Sequence, residues 1–175
     1  MLKELLTAQD PSVEEIALAL KPMRHSLAIC RPTIRTTKPY VVKVHPLVLE
    51  GDARVLRGLL AHERGHLRLY ERGGAGQVLH HLNLYSVGQF FNKEGLRRLE
   101  TAIDLGAIIA GEGVSLAAFK RFRKAKVNEG LISRRSGGNY LSPEQTLYFT
   151  DNPSEARAYL RELSARHDYE ALLLA

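Results

Sequence analysis

Two histidines four residues apart, with a glutamate directly after the first, are the residues of this chain best suited to chemistry: His62-Glu63-Arg64-Gly65-His66. On a helix, positions i and i+4 project from one face, so His62 and His66 can offer two imidazole nitrogens to one Zn²⁺. Glu63 then faces the same metal, placed to act as a general base on water. The preceding run is suited to form that helix. Asp52 is an N-cap candidate, and Val55, Leu56, Leu59 and Leu60 make an apolar stripe at helical spacing.

Catalytic zinc needs a third protein ligand and one open position. The metzincin pattern HExxHxxGxxH is excluded, because positions 69 and 72 are Leu69 and Arg72 rather than glycine and histidine. A glutamate from a following helix is the other common solution. The run 92–107 carries Glu100 and Asp104 four apart on one face, with Leu99, Ala102, Ile103 and Gly106 available for packing. Two carboxylates on the inner side of an apolar helix are costly to bury unless a cation or donor meets them. Zinc on Glu100 and a histidine N–H on Asp104 would satisfy both. The alternative is a solvated acidic face balancing Arg97 and Arg98; the neighbouring HExxH weighs towards metal.

HExxH followed by ExxxD resembles the gluzincin metallopeptidases. The segment from Glu100 through Asp104 to Val114 is similar to the Glu-x-x-Ala-Asp-x-x-Ala…Ala-Gly stretch of the HtpX and CAAX prenyl endopeptidase family, with Ile103 before Asp104 where that family has alanine. Thr150-Asp151-Asn152-Pro153-Ser154-Glu155-Ala156-Arg157 resembles its Thr-x-His-Pro-Ser-x-x-x-Arg segment, in the same order along the chain. The lead-in 47–66 is similar too, so the resemblance covers about residues 40–165. The family's membrane helices are missing, which makes the chain similar to the soluble minigluzincins.

The resemblance implies an α+β, zincin-like domain spanning 1–175: a small N-terminal sheet over the zinc helix, then a mostly helical C-terminal half. It implies one Zn²⁺ per chain on His62, His66 and Glu100, with Asp104 orienting the imidazole of His62. The implied reaction is hydrolysis of a peptide or protein by zinc-activated water, with Glu63 as base. Asn152 stands where the family often has histidine, and Arg157 is one place closer than the family's arginine; both are candidate helpers for the developing oxyanion. The apolar tail Ala171–Ala175 packs on the core or, as in small latent gluzincins, blocks the cleft. A zincin-fold regulator or pseudo-enzyme of the ImmA/IrrE type, acting through protein or DNA contacts, is the competing class, since it too carries HExxH and a downstream glutamate. A chance HExxH in a metal-free helical domain is a third.

Other elements must position these residues. Residues 1–21 read as helix in two pieces, the second opened by Asp10-Pro11, with Val13, Ile16, Ala17 and Leu20 on one face and Pro22 ending it. Ser26–Cys30, Thr33–Thr37 and Tyr40–Val44 read as strands punctuated by prolines, which suits a sheet edge. Tyr40–Val44 is taken as the exposed edge, with Tyr40, Val42 and Val44 meeting an extended peptide; a plain structural hairpin is the alternative. The zinc helix should stop before Gly73-Gly74-Ala75-Gly76, and 77–91 should form another helix whose His80 and His81 are structural. Residues 128–143, with Arg134-Arg135-Ser136-Gly137-Gly138, read as a surface loop, with a cleft-side loop or an activation nick as alternatives. Residues 153–167 form the last clear helix, Pro153 lying near its first turn.

At 175 residues the chain suits one domain, and 45% hydrophobic with 25% charged residues is the balance of a soluble globular protein. No apolar run approaches a membrane span, and the N-terminus lacks signal-peptide features, so no membrane partner and a cytoplasmic location are expected. The single cysteine, Cys30, excludes an internal disulfide and reads as a small buried hydrophobe. The net charge of +6 and the run Lys120-Arg121-Phe122-Arg123-Lys124-Ala125-Lys126 suggest phosphate contacts. No nucleic-acid-binding motif accompanies them, so a solvated basic helix end is preferred and nucleic acid is not an expected partner.

Overall fold

Short apolar and β-branched runs near the start of the chain build a small sheet. The computed structural model describes residues 17–32, 40–84, 92–133, 140–165 and 167–174. Strands β1 (Ala17–Leu20), β2 (Ala28–Pro32) and β3 (Tyr40–Val44) are arranged β1-β3-β2. β1 runs parallel to β3 with Ala17 opposite Val41; β2 runs antiparallel with Cys30 opposite Val42. Val42 and Val44 are fully buried, and Cys30 is a buried free thiol.

Two expectations are overturned here. Ala17 and Leu20 are not on a helical face. The alternation Ala-Leu-Ala-Leu fits a strand as well as a helix, and backbone pairing with β3 decides for the strand. Nor is Tyr40–Val44 an edge: it pairs on both sides, so its backbone groups are used, and Val42 and Val44 point into the core. Among the described strands the edges are β1 and β2. Residues 1–16, with the Asp10-Pro11 start and Val13 and Ile16, and Thr33–Thr37, 85–91 and Arg134–Gly138 lie outside the described residues.

The rest of the described chain is mainly helical, giving a mostly helical α+β protein. Helix α1 (Ala53–Asn83) starts under Asp52, whose Oδ1 accepts the Val55 N–H at 3.0 Å. Its stripe of Val55, Leu56, Leu59 and Leu60 is buried. The glycine cluster bends this helix where a stop was expected: Gly74 has φ 60° and ψ −158°, and helix resumes to Asn83. Helix α2 (Lys93–Ala107) begins at Asn92, whose Oδ1 accepts the Gly95 N–H at 2.8 Å. A π-helical turn, Ile108–Glu112, with Gly111 at φ 88°, leads into α3 (Gly113–Asn128). An 18-residue window of Lys93–Asn128 has mean hydropathy 1.6, long and apolar enough by composition to cross a membrane; 61% of it is buried within the protein.

Helix α4 (Pro143–Asp151) opens with a Ser142–Gln145 capping box, and α5 (Pro153–Ser164) opens on Pro153. A further short helix, α6 (Tyr169–Leu174), carries the apolar tail. Tyr169 and Leu173 are fully buried, and a Cβ on Gly106 of α2 would sit 3.2 Å from Leu173 Cβ. Arg68 and Arg72 of α1 donate to the Leu173 and Leu172 carbonyls at 3.2 and 3.0 Å. The tail is therefore part of the core packing.

α1 and α2 meet closely at Gly65, inside the HExxH motif. A Cβ there would lie 2.5 Å from Ile103 Cγ2, so only a residue without a side chain allows this approach. Because Glu100 and Asp104 flank Ile103 on α2, the same contact sets the distance from the histidines to the carboxylates.

Candidate metal centre

His62 and His66 stand one turn apart on α1, their rings 5.0 Å centre to centre and nearly perpendicular. Glu100 faces them from α2. Its Oε2 lies 3.3 Å from His62 Nε2 and 3.8 Å from His66 Nε2, and ligand atoms of all three residues fall within 4.8 Å of one another. All three are buried. The His62 contact lacks hydrogen-bond geometry, so neither oxygen of Glu100 has a hydrogen-bond partner. Burial pushes the Glu100 carboxyl upward in pKa, with His62 acting in the opposite sense.

A buried carboxylate without partners costs several kcal/mol. A cation between the three residues would remove that cost, and two imidazoles with one carboxylate are a donor set that suits zinc. His62, His66 and Glu100 thus form a buried group that could bind a metal ion.

The outer contacts orient this group. Asp104, fully buried on α2, lies with Oδ1 3.0 Å from His62 Nδ1, which leaves Nε2 facing Glu100. Its other oxygen accepts from the Lys120 ammonium and from the Leu141 N–H at 3.1 Å. Against the burial that would raise it, Lys120 and His62 hold the Asp104 carboxyl below the usual range. Burial opposes charge on His62, but the hydrogen bond to Asp104 and the negative charges of Asp104 and Glu100 push it up to about 10.

Glu63 is buried beside this group, with Oε2 unpartnered. Burial raises its pKa to about 7; the Glu100 charge adds to the rise, while His62 and the backbone N–H of Cys30 oppose it. The Cys30 contact brings β2 against Glu63. A cavity of about 370 Å³ opens here, lined by His62, Glu63 and Asp104, by Ser26, Leu27 and Ala28 leading into β2, and by Lys120 and Tyr140. The Tyr140 ring lies 5.4 Å from that of His62, with the Lys120 and Arg123 cations 5.6 and 5.7 Å from its centre.

Several sequence candidates are not brought to this cavity. Asn152 caps the α4–α5 junction: its Nδ2 donates to the Tyr148 carbonyl at 2.8 Å, and its own carbonyl accepts from Glu155 and Ala156. Arg157 is exposed on α5 and lines a separate cavity of about 230 Å³ with Arg68, Arg72 and Leu173. Neither lines the His62 cavity. Val42 and Val44 are enclosed within the sheet, and the Tyr40 backbone pairs with Pro32, so β3 offers no peptide edge. No described tail residue lines the His62 cavity.

Sequence reasoning missed Lys120, Tyr140 and the backbone of Leu141. For Lys120 a signal existed: it follows Leu116, Ala117 and Phe119 at helical spacing, so it falls on the buried face of α3. Tyr140 and Leu141 carry no local pattern that marks them. Comparison with family models, curated proteins and solved structures finds no match to this chain, so the function of this centre has to be read from its own geometry.

Proposed function

We propose that this chain is a zinc-dependent endopeptidase of gluzincin type with a zincin-like fold, one Zn²⁺ being held by His62, His66 and Glu100. The observation that carries the reading is Glu100, buried with both oxygens unpartnered and turned towards two imidazoles. The carboxylate of Glu63 beside them, opening on a cavity, adds the base that hydrolysis needs.

When bound, zinc supplies Lewis acidity that polarises a peptide carbonyl and acidifies water. Glu63 takes a proton from the attacking water and returns it to the leaving amine. Its unpartnered Oε2 is free for that exchange, while the Cys30 N–H steadies the carboxylate. Asp104 keeps His62 turned with Nε2 towards Glu100. The substrate pairs as an extended strand along β2, an edge among the described strands whose lead-in lines the cavity with Glu63, in place of the β3 edge that the sequence suggested. Tyr140, on the cavity wall beside His62, takes the oxyanion role first assigned to Asn152 and Arg157.

The test joins metal content to cleavage. The purified chain is expected to carry about one zinc and to hydrolyse peptides in a chelator-sensitive way, as one catalytic site requires. Glu63→Gln should keep zinc and lower hydrolysis by about 10²–10⁴-fold. Undiminished cleavage by that variant would refute the mechanism. Zinc without cleavage would favour the ImmA/IrrE-like regulator, and no zinc after reconstitution would remove the metal reading.

A further inference from the structure

Resting on the metal reading above, we infer that Lys120 is a positioning residue of the metal centre: it clamps the Asp104 carboxylate and through it keeps His62 aimed at Glu100. Lys120 lies on α3 and is only 9% exposed, unusual for an ammonium group. Its Nζ donates to Asp104 Oδ2 and, at 2.7 Å, to the Leu141 carbonyl. The Leu141 N–H donates to the same Oδ2, so one carboxylate oxygen is held by two donors while the other is left for His62 Nδ1. The chain Lys120–Asp104–His62 runs from α3 through α2 to α1, the three helices around the centre.

Two physical effects of Lys120 oppose each other. As a buried positive charge near the site it repels a divalent cation, so removing it should tighten zinc binding. As the partner of a buried carboxylate it has the reverse effect. Without it Asp104 Oδ2 keeps only the Leu141 N–H, the carboxylate is no longer held in place, and His62 loses its fixed acceptor. Loss of such an outer contact usually costs about 10–100-fold in metal affinity. Asp104 touches His62 and Lys120 does not, so the clamping effect prevails.

The experiment measures Zn²⁺ affinity by chelator competition for the wild type, Lys120→Met, Asp104→Asn and the double variant. The visible spectrum with Co²⁺ reports the coordination geometry, and metal-free thermal melts check folding. Lys120→Met is expected to weaken zinc by about 10–100-fold and to alter the Co²⁺ spectrum. The double variant is expected to bind no more weakly than Asp104→Asn, since the clamp acts through Asp104 and the remaining effect of the Lys120 charge is repulsive. Equal or tighter zinc in Lys120→Met overturns the inference, and so does a full additional loss in the double variant. If Lys120→Met does not fold, Asp104→Asn against the double variant decides, because neutralising both members of a buried pair is tolerated. A wild type that takes up no zinc removes the metal reading and this inference together; zinc-binding wild type with unimpaired Lys120→Met removes this inference alone.

Discussion

Replacing Gly65 by alanine tests whether the α1–α2 approach sets the metal site. The added Cβ would lie 2.5 Å from Ile103 Cγ2, 3.3 Å from its Cβ and 3.4 Å from its Cγ1. Carbon atoms prefer about 3.5–4.0 Å, so the helices must part locally by about 1 Å. Ile103 sits in the middle of a packed helix, with no exposure to swing into. Alanine improves helix propensity by about 0.8–1.0 kcal/mol over glycine. Overpacking costs about 1–3 kcal/mol, so the net effect on the metal-free fold is a loss of up to about 2 kcal/mol.

Metal affinity should respond more sharply. Glu100 and Asp104 flank Ile103, so they move with it, away from His62 and His66. Ligand positions tolerate only about 0.2 Å, against a shift of about 1 Å, so zinc binding should fall by at least about tenfold. Urea denaturation of the metal-free protein and chelator competition for zinc measure the two effects separately. Adding Ile103→Ala, which removes the clashing methyl group, should recover part of the zinc affinity although it costs core packing. A Gly65→Ala protein that is stabilised by about 1 kcal/mol, as propensity alone dictates, with unchanged zinc affinity would refute the reasoning.

The remaining expectations concern the last helix. Truncation after Asp168 removes Tyr169 and Leu173, each worth about 1.5–3 kcal/mol of burial, so the chain should lose much of its stability, read as a lower urea midpoint. Peptidase activity that rises in a still-folded truncated chain would instead identify the tail as an inhibitor. Burial pushes the Tyr169 phenol up to about 12 from an ordinary 10, with Arg98 pulling the other way. The folded state keeps this proton longer than the unfolded one, so its contribution is complete below pH 10 and is lost as pH rises towards about 12. Tyr169→Phe should flatten that alkaline loss, measured by urea denaturation at pH 9 and pH 11.5; an unchanged slope would exclude Tyr169 as its source.

Legibility in the sequence followed the range of the interactions. The stripe from Val55 to Leu60, the Asp52 cap and the inner face of α2 are local helical patterns, and the structure buries that stripe and both Glu100 and Asp104. Ala17–Leu20 could not be assigned locally, because four alternating small and large apolar residues fit two periods and a partner strand 24 positions away decides between them. The same holds for β3: prolines before and after it suggest an edge, yet edge or centre depends on how many strands pair with it. Asn152 and Arg157 entered through a resemblance of segments, and the fold uses them at a helix junction and an exposed face. Lys120 was concealed by its neighbours. Inside a basic run it reads as solvated, and only its phase relative to Leu116 and Phe119 distinguishes it from exposed Arg121 and Lys124.

Charge explains why these residues form one site. Among the described residues, the buried carboxylates are Glu63, Glu100 and Asp104, and Lys120 is the only buried lysine or arginine. Fully ionised, three carboxylates against one ammonium would leave an excess of two negative charges among buried groups. Such an excess is met either by protons or by a divalent cation. Glu63, Glu100 and His62 are all displaced upward in pKa, the direction that favours protons, and the His62–His66–Glu100 group could instead hold the cation. A purely structural cluster would more simply replace Glu100 with an apolar residue, since a buried ion pair seldom outdoes good packing. Retaining a carboxylate with two unpartnered oxygens at the contact of two core helices costs stability that packing alone does not require. A bound metal ion would offset that cost, and under the proposed function Lys120 pairs with Asp104 while Glu100 and Glu63 are left for metal and base.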